Sequence, residues 1–245
     1  MIPGWIEATG LPPGVRGGTA SRIFQGVSAA PYGPANFGDR CGDDPLAVAR
    51  NRALLCAQLG LISEPLWLHQ VHGTRVLTDL SAHAERLADA GVARNSSRPA
   101  VVLTADCLPL VLAAADASEI AAIHAGWRGL AAGVIEATLD AMHCVPEGIA
   151  AWLGPAISQS AFEVGPEMRD AMLASDPGCA QCFVRGQKDR WHADLYALAE
   201  RRLRARGLTA ISGGEHCTVR DPALHSYRRD AAQSGRMATL VWSGW

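Results

Sequence analysis

The sequence predicts one domain that mixes α-helices and β-strands, of the α/β or α+β class. Short apolar runs bounded by Gly, Pro or charged residues, typical of buried strands, are interspersed with longer patterns typical of amphipathic helices. No internal repeat, low-complexity segment or linker interrupts the 245 residues, a length that supports a large hydrophobic core. We therefore expect residues 1–245 to fold as a single domain.

The first 40 residues are rich in Gly and Pro and show few periodic apolar positions. This composition favours an irregular surface segment that carries Arg22, Ser28 and Asn36. A long structureless segment in a compact domain is often functional, so a substrate-binding lid is the alternative interpretation.

The first helix has clear signals at both ends. Asp43 or Asp44 is suited to be its N-cap, Pro45 suits the first helical position, and Gly60 provides the stop. One face of this helix carries the apolar side chains Val48, Leu55 and Leu59.

Strands dominate the next part of the chain. Residues 66–68 predict a strand that runs into a turn and continues over residues 74–80, whereas residues 81–100 carry no clear pattern. Three apolar runs then follow between Val101 and Ala125, and each predicts a buried strand.

The C-terminal half continues the mixture of elements. The patterns predict helices over residues 128–143, from Pro166 onward and over residues 192–207. They predict strands over residues 149–154, over residues 208–211 and at the C-terminus. A loop is expected over residues 174–190.

Bulk properties exclude several classes of function. The net charge of −2 gives no electrostatic reason to expect binding to nucleic acid or to a membrane surface. We see no signal peptide, and no apolar run approaches the about 20 residues needed to span a bilayer. Seven scattered cysteines favour reduced thiols, so we expect a cytoplasmic protein. A monomer is compatible with the sequence, which does not determine the oligomeric state.

Three ligand-type residues lie where the predicted strands end. His72 is separated from Cys107 by 35 residues, and Cys107 from His124 by 17, which is too wide for a zinc finger. The spacing suits a catalytic metal whose three ligands come from separate loops and leave one position open. The set favours zinc and is acceptable to copper. The competing interpretation is two satisfied histidines and a buried thiol.

The same residues also suit chemistry without a metal. Cys107 could act as a nucleophile with a histidine as its base, and Asp106 would orient that histidine. His69 would be a fourth ligand only if its side chain turned to the same face as that of His72, which a strand disfavours. Cys179 and Cys182 form a CxxC pair, but no second pair accompanies it, so a structural role is favoured.

Arginines cluster near the C-terminus at Arg228, Arg229 and Arg236, and Arg22 lies in the N-terminal segment. Guanidinium groups bind phosphate or carboxylate through two parallel hydrogen bonds. A solvated basic face is the alternative, although these arginines lie in a loop that contains Gly and Ser.

Several motifs together resemble one family. In chain order they are HQVHG, LTADCLPL, HAGWRGL, LGPAIS, FEVG, SYRRD and SGRMA, which extend over most of the chain. The sequence is similar to the laccase-domain family, also called multicopper polyphenol oxidase or peptidoglycan editing factor. Its members are described as purine nucleoside phosphorylases with adenosine deaminase activity. The sequence departs from the family pattern at His69, where Glu is usual, and at Gln25, where a second Gly is usual.

The resemblance implies an α/β/β/α sandwich with mixed sheets. It also implies a metal site at His72, Cys107 and His124, with Arg229 in the active site. The expected partners are small molecules, namely phosphate and a purine nucleoside such as adenosine, inosine or methylthioadenosine, with zinc as cofactor and copper as the alternative.

Chemistry then predicts further roles. Deamination needs a carboxylate that moves a proton, for which Asp106 and Glu163 are the candidates, with Glu163 also near the substrate. Phosphorolysis needs an anion clamp, which Arg229 would lead, with Arg22 and Asn36 as helpers.

Three other functions compete with this prediction. A multicopper oxidase needs many histidines, typically in His-x-His pairs. This chain has eight histidines and no such pair. Of the oxidases, only a copper-dependent polyphenol oxidase with one copper is therefore conceivable. A metal-free cysteine hydrolase acting on cell-wall precursors uses Cys107 directly. A binding module would need only the apolar loops and the arginines, but it would gain little from an exposed thiol.

Overall fold

Two β-sheets pack face to face at the centre of the protein, and helices cover the outer face of each. The computed structural model describes residues 2–78, 80, 85–95 and 98–243. This is the α/β/β/α arrangement expected for the α+β class, so the predicted fold class is confirmed.

The smaller of the two central sheets has four antiparallel strands. Their spatial order is β1 (Trp5–Glu7), β2 (Val15–Ala20), β13 (Met237–Ser243) and β5 (Ala100–Thr104). The last strand of the chain therefore lies between an N-terminal strand and a central one, which joins distant parts of the sequence.

The larger sheet has six strands and mixes their directions. Its order is β12 (Ala210–Gly213), β8 (Ile149–Leu153), β6 (Leu108–Ala114), β7 (Glu119–Ala125), β4 (Ala90–Arg94) and β3 (Val76–Leu77). The pair at each edge is parallel and the inner pairs are antiparallel. A separate small antiparallel sheet contains β10 (Phe183–Arg185), β11 (Trp191–Ala193) and β9 (Glu163–Val164).

Six α-helices are present in the described part of the chain, and none has the length and apolar character needed to cross a bilayer. They are α1 (Pro45–Leu59), α2 (Trp127–Ala132), α3 (Val134–Ala141), α4 (Pro166–Ser175), α5 (Leu195–Ala205) and α6 (Tyr227–Asp230). Short 3-10 turns occur at Pro146–Gly148, Gln159–Ala161, Pro177–Cys182 and Ala231–Gln233.

Alternation along the strands builds separate cores on the two faces of each sheet. In β6, Leu110 and Leu112 pack with helices α2 to α5, whereas Val111 and Ala113 face the smaller sheet. On the far side of the smaller sheet, residues such as Leu240 pack against α1. Because both faces of these strands are buried, their sequences are almost continuously apolar.

Several predicted elements are confirmed by the structure. The Asp44 side chain accepts a hydrogen bond from the Leu46 amide at the start of α1, and Gly60 ends that helix in the left-handed conformation. The three strands predicted between Val101 and Ala125 are β5, β6 and β7, and the helix predicted over residues 192–207 is α5, which Asp194 caps.

Other predictions of secondary structure are wrong. The first 40 residues contain β1 and β2. Three glycines in or beside β2 weaken the apolar pattern that would have predicted it. Residues 81–100, which show no clear pattern, contain β4. The helix expected over residues 128–143 divides at Gly133, whose φ of 96° breaks the hydrogen-bond ladder.

Two predicted strands also differ. Residues 66–68 belong to no strand, and an isolated bridge follows between His69 and Leu87. The continuation over 74–80 reduces to β3, and Asp79 lies outside the described residues. The loop expected over residues 174–190 includes β10 and one of the 3-10 turns.

Candidate functional site

The three ligand-type residues predicted from the sequence meet at one end of the larger sheet. Cys107 lies immediately before β6, His124 near the end of β7, and His72 in the loop before β3. One ligand atom from each lies within 4.8 Å of the other two. Among the described residues, this is the one group of His, Cys, Asp and Glu side chains that could share a metal ion.

The geometry inside this group is close. The Cys107 Sγ and His72 Nε2 atoms are 3.8 Å apart, and the rings of His72 and His124 meet edge to face with centroids 4.7 Å apart. His124 is buried, Cys107 is half-buried and His72 is exposed. The group therefore has one open side, which faces a cavity.

Unusual backbone conformations bring these side chains together. His72 and Asp106 have φ values of 61° and 86°, a region that residues other than glycine rarely adopt. Gly126 follows β7, and a Cβ atom there would lie 2.6 Å from His72 Cδ2 and 3.2 Å from Cys107 Sγ. Glycine at 126 is thus required by the close approach of the two ligands.

Asp89 is a residue of the site that no sequence pattern indicated. It is fully buried, and its Oδ1 accepts hydrogen bonds from His124 Nδ1 at 2.8 Å and from the His72 amide at 2.9 Å. Its Oδ2 accepts from the amides of Gly73 at 2.7 Å and Val71 at 3.2 Å. One carboxylate therefore holds both the ring of His124 and the loop that carries His72, which leaves His124 Nε2 for the group.

Charges within the site shift its protonation equilibria. Burial raises the pKa of the Cys107 thiol, but the positive charge of His124 and hydrogen bonds to His124 and His72 prevail and lower it to about 6. Burial lowers the pKa of His124, but the Cys107 thiolate and the hydrogen bond to Asp89 prevail and raise it to about 9. Without a metal, the pair is therefore a thiolate and an imidazolium near neutral pH.

Asp106 adjoins Cys107 but has other partners. Its carboxylate accepts hydrogen bonds from the Thr218 hydroxyl and from the Arg228 amide, the latter at 2.6 Å, and its carbonyl accepts from the Ile157 amide at 3.0 Å. The sequence suggested that Asp106 orients the catalytic histidine, whereas the structure assigns that contact to Asp89. Asp106 instead ties the arginine-rich segment to the site.

A cavity of about 420 Å³ opens beside the three ligand-type residues. This volume falls in the range of small-molecule sites. Its apolar wall includes Leu68, Leu103, Ile157, Phe162 and Tyr227. Its polar wall includes His69, Gln70, Asp39, Asp106 and the three arginines Arg40, Arg228 and Arg236.

The arginine predicted to lead the anion clamp does not line this cavity. Arg229 pairs with Asp230 through two hydrogen bonds of 2.9 and 2.8 Å and donates its other N–H groups to backbone carbonyls. The neighbouring Arg228 lines the cavity instead and donates to the carbonyl of Glu163. The function of Arg229 in binding substrate stays a prediction, with which its contacts do not agree.

The three predicted substrate-binding residues also lie outside the cavity wall. Arg22 donates to the carbonyls of Pro31 and Gly33 and lies 3.7 Å from Asp230. Asn36 is fully buried and accepts hydrogen bonds from the amides of Gly38 and Arg236, so it positions two residues that do line the cavity. Glu163 contacts the site through its carbonyl.

The remaining candidates separate into cavity and core. His69 lines the cavity but does not belong to the ligand group among the described residues. Cys179 and Cys182 are buried, and burial raises the pKa of both thiols, that of Cys182 to about 11. Neutral thiols in an apolar core agree with the structural role favoured for this pair.

Comparison with known proteins identifies relatives that are similar over nearly the whole chain. Residues 18–244 match the family model described as multi-copper polyphenol oxidoreductase laccase. A Xylella fastidiosa protein named purine nucleoside phosphorylase is 45% identical, covering 99% of this chain and 98% of its own. An Escherichia coli protein named purine nucleoside phosphorylase YfiH is 43% identical with the same coverage. A crystal structure of Neisseria meningitidis protein NMB0706 has a TM-score of 0.94 and 40% identity, covering 99% of this chain and 100% of that one.

Proposed function

This chain belongs to the multi-copper polyphenol oxidoreductase laccase family, and on that basis we propose that it is a purine nucleoside phosphorylase that also deaminates adenosine. The observation that carries the proposal is the His72, Cys107 and His124 group, which opens onto a partly apolar cavity with arginines in its wall. The names of the relatives supply the substrate class, and adenosine, inosine and methylthioadenosine are the proposed nucleosides.

The ligand group fits a zinc ion. Zinc takes imidazole nitrogens and thiolate at about 2.0–2.3 Å, so tetrahedral ligand atoms lie about 3.5 Å apart. Cys107 Sγ and His72 Nε2 are 3.8 Å apart, and the thiol pKa is already lowered, so little displacement or proton release is needed. When bound, zinc supplies positive charge and an open coordination position at the cavity. Copper is the alternative metal for the same donors.

The apolar wall suits a purine base. Phe162 and Tyr227 offer aromatic faces, while Leu103 and Ile157 provide aliphatic surface. Base stacking needs no charge, so the polar groups of the cavity remain available for the ribose and for the second substrate.

Each reaction requires a proton to be moved. In phosphorolysis a phosphate oxygen bonds to C1′ while the C1′–N9 bond breaks, and the purine leaves with the electron pair and takes up a proton. In deamination water adds at C6 and ammonia leaves. Asp106 is assigned the proton transfer because it lines the cavity beside Cys107. Each of its oxygens accepts one hydrogen bond and retains a further lone pair.

A metal-free cysteine hydrolase is the second candidate, and one observation favours it. Cys107, His124 and Asp89 follow the order nucleophile, base and orienting carboxylate, with the thiol pKa lowered to about 6. A polyphenol oxidase using one copper at the same donors is the third candidate, and the family description is what favours it.

Product analysis separates these candidates. Zinc-loaded protein incubated with adenosine and phosphate is expected to yield adenine, ribose 1-phosphate and inosine, with chelation abolishing at least the inosine. Unreacted adenosine after long incubation would contradict the proposal. Elemental analysis of the wild type and of Cys107→Ala is expected to differ by about one metal equivalent per chain. Equal metal content in the two proteins would favour the cysteine hydrolase. Oxidation of a phenol by the copper-loaded protein, but not by the zinc-loaded or metal-free protein, would favour the oxidase.

A further inference from the structure

One arginine in the cavity wall has no partner in the part of the chain that the structure describes. Arg40 is exposed on the loop after Asn36 and forms no hydrogen bond, ion pair or ring contact with any described residue. A guanidinium group has five N–H donors in a fixed planar arrangement that matches an oxyanion. Its charge and all its donors are therefore available to a ligand in the cavity.

A second arginine of the same cavity wall, Arg236, is held in place. The Arg236 side chain packs against Gly38, where an added Cβ atom would lie 2.6 Å from Arg236 Cγ. Its NH1 group donates to the carbonyls of Ser234 at 2.7 Å and Gly235 at 2.9 Å, and its guanidinium lies 5.9 Å from the Tyr227 ring centroid. Gly38 is two residues from Arg40, so this contact places Arg236 against the loop that carries Arg40. We call this part of the cavity wall the rim.

The acidic groups in the cavity wall do not cancel this charge. Asp39 is 3.6 Å from Arg52, which also donates to the carbonyl of Phe37. Asp106 accepts from the Thr218 hydroxyl and the Arg228 amide. Both carboxylates have partners of their own, whereas Arg40 has none, so an anion at the rim would supply a counter-charge that the described residues do not provide.

Arg229, by comparison, has no free donor to offer. Its Nε and NH2 groups form the paired hydrogen bonds to Asp230, and NH1 and NH2 also donate to the carbonyls of Thr218, Asp221 and Leu224. An anion would have to displace these bonds and compete with a carboxylate at 2.8 Å. The contacts of Arg229 are those of a residue that organises a loop.

We propose that the anionic substrate, inorganic phosphate, binds at the rim formed by Arg40 and Arg236, with Arg40 as its principal ligand. This inference rests on the proposed phosphorolysis and deepens it, because it names the residues that select the second substrate. Phosphate at the rim lies over the mouth of the cavity and can present an oxygen to C1′ of a nucleoside whose base occupies the apolar wall.

Steady-state kinetics of Arg40→Ala and Arg40→Lys test the subsite, with Arg50→Ala as the matched control. Arg50 is exposed on α1, outside the cavity wall, so its removal changes net charge equally. Arg40→Ala is expected to raise the KM for phosphate about 10- to 100-fold, the range for loss of a charge-assisted hydrogen bond, with the KM for adenosine and the rate of inosine formation unchanged. Arg40→Lys is expected to be intermediate. An equal phosphate KM in Arg40→Ala and Arg50→Ala would overturn the proposal.

Calorimetric titration with inorganic phosphate keeps this inference separate from the proposed function. Absence of phosphorolysis in the wild type would refute the function alone. Phosphate binding that is present in the wild type and Arg50→Ala but lost in Arg40→Ala would still support the subsite. No binding in the wild type, or equal binding in all three proteins, would refute the subsite.

Discussion

Replacing Asp89 with Asn tests how the histidines are positioned. The change keeps the size of the side chain but substitutes an NH2 group for one oxygen. All four partners of Asp89 are donors: three backbone amides and His124 Nδ1. Only a group that accepts on both sides satisfies them, and Asn accepts on one side only.

The magnitude follows from this count of donors. Each oxygen of Asp89 serves two donors, so whichever way the amide turns, its NH2 group faces two of them. The His124 ring can adapt by moving its proton to Nε2, but a backbone amide cannot, so at least one amide loses its acceptor. An unsatisfied donor costs about 1–3 kcal/mol, so we expect the free energy of unfolding of the metal-free protein to fall by about 1–3 kcal/mol. Loss of such an outer carboxylate also weakens metal binding, typically by about 10- to 100-fold.

Two measurements test these magnitudes. Urea denaturation of the metal-free protein gives the change in stability, and competition with a chromophoric chelator gives the zinc affinity. Nitrogen-15 NMR of the His124 ring reports whether Nδ1 still carries the proton. Asp189→Asn is the matched control, because the side chain of Asp189 is 76% exposed. Zinc affinity and stability that equal those of the control would refute the assignment of Asp89 as the residue that positions the site.

The remaining predictions concern the thiol, the close glycine and Arg229. Because its pKa is lowered to about 6, Cys107 of the metal-free protein stays a thiolate down to about pH 6. Its alkylation by iodoacetamide should therefore decline only below that pH, which peptide mass spectrometry can measure. A midpoint near the ordinary value of about 8.5 would contradict this. Gly126→Ala should displace His72 and weaken zinc binding in the chelator assay while the circular dichroism spectrum is retained, because its φ of −64° suits alanine. Arg229→Lys should lower the free energy of unfolding by about 1–3 kcal/mol through lost hydrogen bonds without raising the KM for phosphate, and the reverse result would restore Arg229 as the clamp.

The sequence by itself predicted the elements whose signals are local. Helix α1 carries its cap, its apolar face and its glycine stop within about four turns of chain. Strands β5 to β7 are apolar runs bounded by breakers, and the placing of Cys107 and His124 beside their ends follows directly. Strand β2 escaped prediction because its glycines weaken the pattern, although the tertiary contacts of β13 and β1 pair it on both sides.

Only the tertiary structure decided which polar groups are engaged with one another. Asp89 lies in a segment without a clear pattern, and its partners are 16 to 35 residues away in the chain. Arg229 belongs to the most recognisable arginine motif, yet six carbonyl and carboxylate oxygens accept its hydrogen bonds. The inconspicuous Arg40 has no partner among the described residues. The type of a residue determines what it can bind. Whether its donors remain free depends on acceptors that folding brings from distant segments, and no local pattern encodes that.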